Sequence, residues 1–310
     1  MSGTHGRVAR DIALAVLGRD PGPLTAADSA SHHVYVGPDV VVKVIDAARH
    51  SRLDREVALA PHLPAGLSAP LLDSGLWRSG TLEVRYACYT RVRGTTPGIG
   101  LPGTDGATAR RLAEQAVEWL GALHGWLPAG PAEQTLRAAP GDGEFAGRVT
   151  LVAEIDNLAA LAGDGRISAR LLNGLTAIAD RAPLRADAAV PVHADCHWGN
   201  WLACDGSVTA LLDFEWARFG EPVDDWFFLI RFSGRHREAV LDVVARATAT
   251  SPEALRAECE ARDASYLAAD LRLALERPAS AGGTAADRLS DLLRGLEELI
   301  VERSWWPRAE

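Results

Sequence analysis

The sequence contains almost no lysine. Among the 32 basic residues of the 310-residue chain, Lys43 is the one lysine and the rest are arginine. This composition indicates a coding bias against lysine. A position that escapes such a bias is either a stray residue or one that needs a compact ammonium group rather than a planar guanidinium. Lys43 is therefore a candidate functional residue from composition alone.

Long apolar runs, a secretory leader and paired cysteines are also lacking. No stretch of about 18 apolar residues exists, so no membrane span is expected. The first twenty residues lack the apolar core and the small-residue cleavage site of a signal peptide. The four cysteines are scattered without CxxC spacing, which indicates neither a zinc site nor a disulfide framework. We expect a cytoplasmic protein with reduced thiols.

Acidic residues outnumber basic ones, 41 against 32, and the formal net charge is −9. A nucleic-acid-binding protein would carry a basic stripe, so no nucleic-acid partner is expected. The acidic balance suits a cationic small molecule, although it also serves solubility. With 47% hydrophobic residues, the chain can bury a sizeable core in one large or two moderate domains.

Strand patterns dominate the first third of the chain and helical patterns the remainder. Strands are predicted at 31–36, 40–45, 70–77 and 81–92. Helices are predicted at 47–63, 112–123, 144–161, 168–181 and 289–300. A Gly- and Pro-rich stretch at 93–106 predicts a hinge. We therefore predict an α+β protein with a small β-rich lobe over 1–92 and a larger, mainly helical lobe over 107–310.

A β-rich insertion from Pro191 to Phe214 places polar side chains between short apolar runs. Its two strand-like pieces predict a hairpin, and a tight turn between them brings Asn200 close to Asp213 at the open end. Amide and carboxylate oxygens are ligands that suit Mg²⁺. Asp195 enters by the same loop and is a candidate base beside that metal.

Two other interpretations remain open for this insertion. In the first, His193, Asp195 and His197 alternate as ligands of zinc or iron would, although the chain offers no second cluster of that kind. In the second, Asp195 and Asn200 only form turns and His193 is a hydrogen-bonded core residue. The combination of His-x-Asp-x4-Asn, a hairpin and a final Asp favours the magnesium site.

The segments HADCHWGN at 193–200 and LLDFE at 211–215 resemble the catalytic-loop and metal-binding motifs of aminoglycoside phosphotransferases and related small-molecule kinases. Lys43 in VVVKV resembles the phosphate-binding lysine of that family, and Glu56, thirteen residues on, its ion-pair partner. Two further segments match in the same order: LGALH at 120–124 and GEPVDD at 220–225. The resemblance implies a bilobal protein-kinase-like fold.

The resemblance also implies roles for the residues of the catalytic loop. Asp195 is the expected catalytic base, and His193 is expected to brace the loop around it. Asn200 and Asp213 are the expected ligands of Mg²⁺ on the nucleotide phosphates, and Asp225 would anchor the loop from the next helix. Phosphoryl transfer needs little more than this, because its catalysis is mostly positioning and charge neutralisation.

For the nucleotide, the resemblance implies that Lys43 binds the phosphates of ATP or GTP and that Glu56 supports the lysine as its ion-pair partner. Backbone groups around Thr90 and Val92 would meet the purine. The sequence departs from the family pattern at 29–33, where a glycine-rich loop would lie, and at Ala194, where glycine is usual.

Three residues are weaker candidates for the substrate. Trp198 is expected either to stack on a substrate ring or to belong to the core. Glu215 is expected to touch metal or a cationic substrate, or to be an exposed strand-end residue. Asp156 is expected to contact a cationic acceptor or to lie on a solvated helix face.

The expected function is the ATP- or GTP-dependent phosphorylation of a hydroxyl group on a small molecule. An antibiotic of aminoglycoside, tuberactinomycin or nucleoside type is the favoured acceptor, with resistance by inactivation as the outcome. The alternatives are a metabolic kinase of the choline, homoserine or sugar type and an inactive kinase-like binding protein. A monomer or a homodimer is expected.

Overall fold

The computed structural model describes residues 2–29, 31–49, 52–138, 145–161, 163, 165–276 and 284–307. These residues form an α+β protein with a β-sheet near the N-terminus and a mainly helical remainder, which confirms the predicted fold class. They divide into two compact units. The first unit holds residues 1–140, 191–218 and 232–236, and the second holds 141–190, 219–231 and 237–310. The predicted division into a lobe over 1–92, a hinge over 93–106 and a lobe over 107–310 stays a prediction.

The first unit contains a five-stranded antiparallel sheet with strand order β1-β2-β3-β5-β4. Its strands are β1 (Thr25–Ala27), β2 (His33–Val36), β3 (Val40–Asp46), β4 (Leu71–Ser79) and β5 (Leu82–Thr90). β-Branched residues favour this pleated arrangement. On β3 the valines at 40, 42 and 44 are fully buried. The two-residue period of a strand therefore sends Lys43 to the opposite face.

A helix that the sequence did not predict covers the valine face of the sheet. Helix α1 (Ser2–Leu17) buries Val8 and Ile12, which pack in one cluster with Val42 and Val44. These two helical residues are four positions apart and so lie on one side of α1. The face of the sheet under α1 is therefore apolar and closed to solvent. The opposite face carries Lys43.

The predicted helix at 47–63 is shorter than expected. Helix α2 (Arg52–Leu59) continues into a single 3-10 turn at 60–62, where Pro61 cannot donate a helical hydrogen bond. Leu53, Glu56 and Leu59 are the buried residues of α2, three positions apart along one side. This spacing holds the Glu56 carboxylate inside the unit between two apolar neighbours.

Further along the first unit, helices α3 (Gly106–His124) and α4 (Pro131–Arg137) precede the predicted hairpin, which is formed by β7 (Trp201–Cys204) and β8 (Ser207–Leu211). Asp205 and Gly206 make its turn with φ values of 52° and 74°, as a tight two-residue hairpin turn requires. The short strands β6 (Val190–Val192) and β9 (Arg218–Gly220) flank this region.

The Gly- and Pro-rich stretch at 93–106 is hydrogen-bonded to the hairpin. The amides of Thr95 and Ala203 each donate to the carbonyl of the other at 2.9 Å. Gly94 has a φ of 130°, and a Cβ placed there would lie 2.8 Å from the carbonyl oxygen of Ala203. Only glycine fits so close an approach. Residues 94 and 95 thus connect the chain that leaves β5 to β7, the first strand of the hairpin.

The second unit is helical, with α5 (Arg148–Leu161), α6 (Ala169–Arg181), α7 (Pro222–Arg231), α8 (Arg237–Thr248), α9 (Pro252–Glu276) and α10 (Thr284–Ile300). Helix α9 carries Arg262, which is fully buried. Its guanidinium donates to Asp224 at 2.6 Å, to Glu258 at 2.8 Å and to Glu221. Glu221 of the GEPVDD segment is therefore held by a buried guanidinium. Among the described residues no helix is long and apolar enough to cross a membrane.

Two tryptophans fasten the C-terminal segment to α9. Trp305 is 1% exposed, and its indole N–H donates to Asp263 at 2.9 Å. The guanidinium of Arg237 lies over its ring at 3.6 Å. Trp306 is half-buried and donates to Glu260 at 2.8 Å. Trp305 is thus a core residue of the second unit and Trp306 a peripheral one.

We predict that Trp305→Ala lowers the free energy of unfolding by about 3–5 kcal/mol, the range for deleting a large buried aromatic side chain. Trp306→Ala is the matched control and should cost much less, because its ring is already half in water. Denaturant unfolding of both variants measures the difference. Equal losses would contradict the placement of Trp305 in the core.

Candidate active site

A cavity of about 870 Å³ opens inside the first unit on the lysine face of the sheet. Its volume is within the range of pockets that hold small ligands and cofactors. It gathers most of the residues that the sequence singled out: Lys43, Glu56, Thr90, Val92, Asp195, Asn200, Asp213 and Glu215. Segments that are 170 residues apart in sequence therefore share one binding space.

Lys43 lies at the centre of an ion-pair network in this cavity. Its ammonium donates to both carboxylate oxygens of Glu56 at 2.9 Å and to Oδ1 of Asp213 at 3.0 Å. Only 13% of the lysine side chain and 7% of the glutamate side chain are exposed. The predicted pairing of Lys43 with Glu56 is present, and Asp213 is a second partner.

Burial and charge act against each other in this network. Burial lowers the pKa of Lys43, but the carboxylates of Asp213 and Glu56 outweigh it and hold the value above the ordinary one. For Asp213 burial raises the pKa, and the Lys43 ammonium reverses this and brings it to about 2. Burial raises the pKa of Glu56, opposed by Lys43. The ammonium is thus firmly protonated where phosphates would bind.

Asp195 and Asn200 are joined by hydrogen bonds on the loop before β7. The amide nitrogen of Asn200 donates to the backbone oxygen of Asp195 at 2.8 Å and to its Oδ2 at 3.1 Å. The backbone N–H of Leu212 donates to the Asn200 carbonyl at 2.8 Å. The hairpin therefore brings Asn200 and Asp213 to one end, as the sequence indicated, and fixes the orientation of the Asp195 carboxylate.

His193 connects the loop to the hairpin from within. It is fully buried, its Nε2 lies 2.8 Å from the carbonyl oxygen of Leu212, and its Nδ1 accepts from the backbone N–H of Asp195 at 3.2 Å. Both ring nitrogens are engaged, so the interpretation of His193 as a zinc or iron ligand is wrong. His197 is held similarly, its Nδ1 accepting from Gly199 at 3.1 Å.

Two residues of the site have left-handed backbone conformations. Ala194 has a φ of 60° and Asp213 a φ of 69°. A residue with a side chain pays of the order of 1–3 kcal/mol in such a region. The family usually places glycine at the first of these positions, and the observed φ gives the physical reason.

Thr90 and Val92 line the cavity at the end of β5. The backbone N–H of Thr90 donates to the carbonyl oxygen of Pro70 at 2.9 Å, so this donor is not available to a purine. Any purine contact made by the Thr90 backbone would use its carbonyl oxygen.

Trp198 does not offer a surface to a substrate. It is fully buried, and its indole N–H donates to Ser233 at 2.8 Å. The expectation that it stacks on a substrate ring is therefore corrected to a core role. Asp225, fully buried on α7, and Asp156, exposed on α5, belong to the second unit. Their roles as loop anchor and substrate contact stay predictions.

Glu215 is buried in a 3-10 turn after β8 and is not an exposed strand-end residue. It is 3% exposed. Burial, with a smaller effect of Asp213, raises its pKa to about 7. Nη1 of Arg52 lies 3.6 Å from Glu215 Oε1, and Nε2 of His32 lies 3.7 Å from Oε2.

Sequence reasoning did not identify His32 and Arg52 as site residues. Arg52 lies over the ring of Trp216 at 4.8 Å. The one sequence signal for His32 was its position in the stretch 29–33, where a glycine-rich loop would lie. No local pattern distinguished Arg52 from the many other arginines of the chain.

Comparison with known proteins agrees with the predicted resemblance. The profile of the phosphotransferase enzyme family, APH, matches residues 25–261. A search of curated proteins finds no significant match.

Among the solved structures with a similar fold are several aminoglycoside phosphotransferases. Aminoglycoside 2'-phosphotransferase-IIIa, in its GDP complex, is 17% identical with a TM-score of 0.74, over 97% of this chain and 99% of that one. A thermostable mutant of APH(4)-Ia with ADP and hygromycin B is 20% identical with a TM-score of 0.64, over 94% and 97%. The gentamicin complex of APH(2'')-IIa is 14% identical with a TM-score of 0.64, over 92% and 94%.

At these identities the structural likeness establishes the protein-kinase-like fold, and the family is established by the profile. The matched residues 25–261 contain the strand of Lys43, the Asp195 loop and the hairpin that ends at Asp213. We conclude that the chain belongs to the phosphotransferase enzyme family.

Proposed function

We propose that this protein transfers the γ-phosphoryl group of ATP or GTP to a hydroxyl group of a small molecule, with a cationic antibiotic as the favoured acceptor. The observation that carries the proposal is the buried Lys43 ammonium, held between Glu56 and Asp213 at 2.9–3.0 Å. It faces the same cavity as Asp195. Phosphate-binding lysine, metal-binding carboxylate and candidate base are the parts that phosphoryl transfer requires.

Lys43 would bind the nucleotide phosphates. An ammonium is a compact point charge that can contact two phosphate groups from one position. Glu56 holds it in place through two hydrogen bonds. The lysine side chain is therefore already placed in the cavity before phosphates enter, and its charge is already present because its pKa is raised.

Asp195 would orient the acceptor hydroxyl and take its proton. Its Oδ2 accepts from the Asn200 amide, which fixes the plane of the carboxylate, and 24% of its side chain is exposed. A base that is held in one orientation and partly open to the cavity meets the geometric condition for general base catalysis. His193 positions the base, because it accepts from the Asp195 backbone and does not line the cavity.

The residues present fit a magnesium ion at Asn200 and Asp213. The side-chain amide nitrogen of Asn200 is engaged by Asp195, so its side-chain oxygen, Oδ1, is the atom left for a metal. Asp213 is ionised at neutral pH because its pKa is about 2. An amide oxygen and a carboxylate are hard oxygen donors of the kind Mg²⁺ takes. When bound, Mg²⁺ would neutralise charge on the phosphates.

The favoured acceptor class rests on two supports. Two of the similar solved structures are complexes, one with gentamicin and one with hygromycin B and ADP. The net charge of −9 suits a polycationic compound. We therefore infer antibiotic resistance by inactivation as the role and the cytoplasm, where nucleotide is plentiful, as the place. Metabolic kinases of the choline, homoserine or sugar type share the same chemistry and are the second candidate.

The test is nucleotide turnover by the purified protein with Mg²⁺ and ATP or GTP across a panel of acceptors. The panel contains aminoglycosides, tuberactinomycins, nucleoside antibiotics, choline, homoserine and simple sugars. We expect ADP or GDP release with at least one antibiotic and a phosphorylated product by mass spectrometry. Turnover confined to the metabolites would replace the acceptor class. No phosphorylated product from any hydroxyl compound, despite nucleotide binding, would contradict the enzymatic proposal.

A further inference from the structure

Three potential metal-ligating side chains converge on one point of the first unit. His32 precedes β2, and Asp213 and Glu215 follow β8. One ligand atom from each lies within 4.8 Å of the other two. Within the described ranges of the chain, no other set of three His, Cys, Asp or Glu side chains comes so close. The cluster therefore brings together the stretch 29–33, where a glycine-rich loop would lie, and the turn that follows β8.

The buried carboxylate of Glu215 points to a ligand at this place. Glu215 is 3% exposed, and its Oε2 is buried and accepts no hydrogen bond from the described residues. The two groups that face it lie within ion-pair distance but beyond hydrogen-bond length: Nε2 of His32 is 3.7 Å from Oε2, and Nη1 of Arg52 is 3.6 Å from Oε1. Burying a carboxylate oxygen without a donor is costly. A cation bound between His32 and Glu215 removes that cost.

We propose that His32, Asp213 and Glu215 bind a divalent transition-metal ion in preference to Mg²⁺, at a site separate from the Asn200–Asp213 pair. One imidazole nitrogen and two carboxylates form the donor set. Magnesium favours oxygen donors alone, whereas an imidazole suits first-row transition ions such as Fe²⁺, Ni²⁺ and Zn²⁺. Mn²⁺ is the weakest-binding ion of that series and also takes carboxylate ligands readily. Asp213 has four lone-pair positions on its two oxygens and can serve both sites.

The orientation of His32 supports this assignment. Nδ1 of its ring is hydrogen-bonded to Oγ of Ser31 at 2.8 Å. With the proton on Nδ1, Nε2 presents a lone pair toward Glu215. A hydrogen bond on the far ring nitrogen is the usual support of a metal-bound histidine, because it fixes the tautomer and the ring plane. His32 is 6% exposed, so its ring is already in place before an ion arrives.

Metal binding to the nucleotide-free protein tests the proposal without any measurement of phosphoryl transfer. Mn²⁺ is titrated by electron paramagnetic resonance with Mg²⁺ as competitor, and pulsed spectra report nitrogen coupled to the bound ion. We expect Mn²⁺ to bind at least about 10-fold more tightly than Mg²⁺, with one coupled histidine nitrogen. His32→Gln should remove the nitrogen signal, and Glu215→Gln should weaken Mn²⁺ binding by about 10-fold or more.

His33→Gln is the matched control, since His33 is the adjacent histidine and stacks on His5 instead. It should keep both the affinity and the nitrogen signal. Mn²⁺ bound without nitrogen coupling, or no more tightly than Mg²⁺, would overturn the proposal. So would an unchanged signal in a folded His32→Gln variant. If that variant does not fold, the wild-type spectrum and the isosteric Glu215→Gln variant decide. A protein inactive on every acceptor would still give this result, so the two proposals fail separately.

Discussion

Asp195→Asn should lower kcat for phosphoryl transfer by about 10²- to 10⁴-fold, the usual contribution of a positioned general base. The substitution keeps the size of the side chain and removes its capacity to take a proton. The Asn200 amide donates to both the backbone oxygen and Oδ2 of Asp195, and an asparagine oxygen at that position still accepts. We therefore expect the loop and the affinity for nucleotide to survive while the chemical step is lost.

Asp205→Asn provides the matched control for this experiment. Asp205 lies in the turn of the hairpin with a φ of 52°, a conformation that asparagine tolerates well, and it does not line the cavity. This variant should turn over as the wild type does. Single-turnover rates with a saturating acceptor and nucleotide titrations separate chemistry from binding. A fully active Asp195→Asn protein would refute the assignment of the base.

Much of the site could be predicted because it is encoded over short distances in the chain. The thirteen-residue interval between Lys43 and Glu56 spans one strand end and the start of one helix. A hairpin is a local structure whose turn fixes which residues meet at its open end. Asn200 and Asp213 therefore come together as their spacing indicated. The pairing of Lys43 with Asp213 spans 170 residues, and only the family resemblance placed both in one site.

The remaining features depend on packing between distant segments, which no local pattern records. Burial converts Trp198 from a substrate candidate into a core residue with a hydrogen bond to Ser233. Burial also gives Glu215 a pKa of about 7, where the sequence allowed an exposed strand end. His32 and Arg52 enter the site because their segments fold onto Glu215. Neither residue belongs to a motif that spacing could reveal.

Lys43→Arg should lower kcat/KM for phosphoryl transfer by about 10²- to 10³-fold, as the loss of one positioned electrostatic group typically does. The charge is kept, so the fold should hold. A planar guanidinium is longer than an ammonium and distributes its donors as a fork. In a space where one nitrogen lies 2.9 Å from Glu56 and 3.0 Å from Asp213, the fork cannot place its charge at the point that the ammonium nitrogen occupies.

Lys43→Met is the complementary change, and the stability of this variant tests the burial of the ion pair. Removing the ammonium leaves Glu56, 5% exposed, without its cation, and an uncompensated buried charge of this kind costs about 3–5 kcal/mol. The double variant Lys43→Met, Glu56→Gln removes that charge as well and should recover most of the loss while remaining inactive. Thermal unfolding of the three proteins measures both effects. Equal stability of Lys43→Met and the wild type would contradict the buried pair.

The scarcity of lysine gives a direct chemical readout of the same residue. An amine-directed reagent has one side-chain target in this chain, and only the deprotonated amine reacts. Because Asp213 and Glu56 raise the pKa of Lys43 above its ordinary value, labelling of the folded protein at pH 8 should be slower than that of a free lysine. Glu56→Gln removes one of these anions, lowers the pKa of Lys43 and should speed its modification.

Mass spectrometry of the peptide that contains residue 43 measures the rate of labelling, and bound nucleotide should protect Lys43 in both proteins. Fast labelling in the wild type, unaffected by nucleotide, would mean that the ammonium lies outside the phosphate site and would remove the central support of the proposed function.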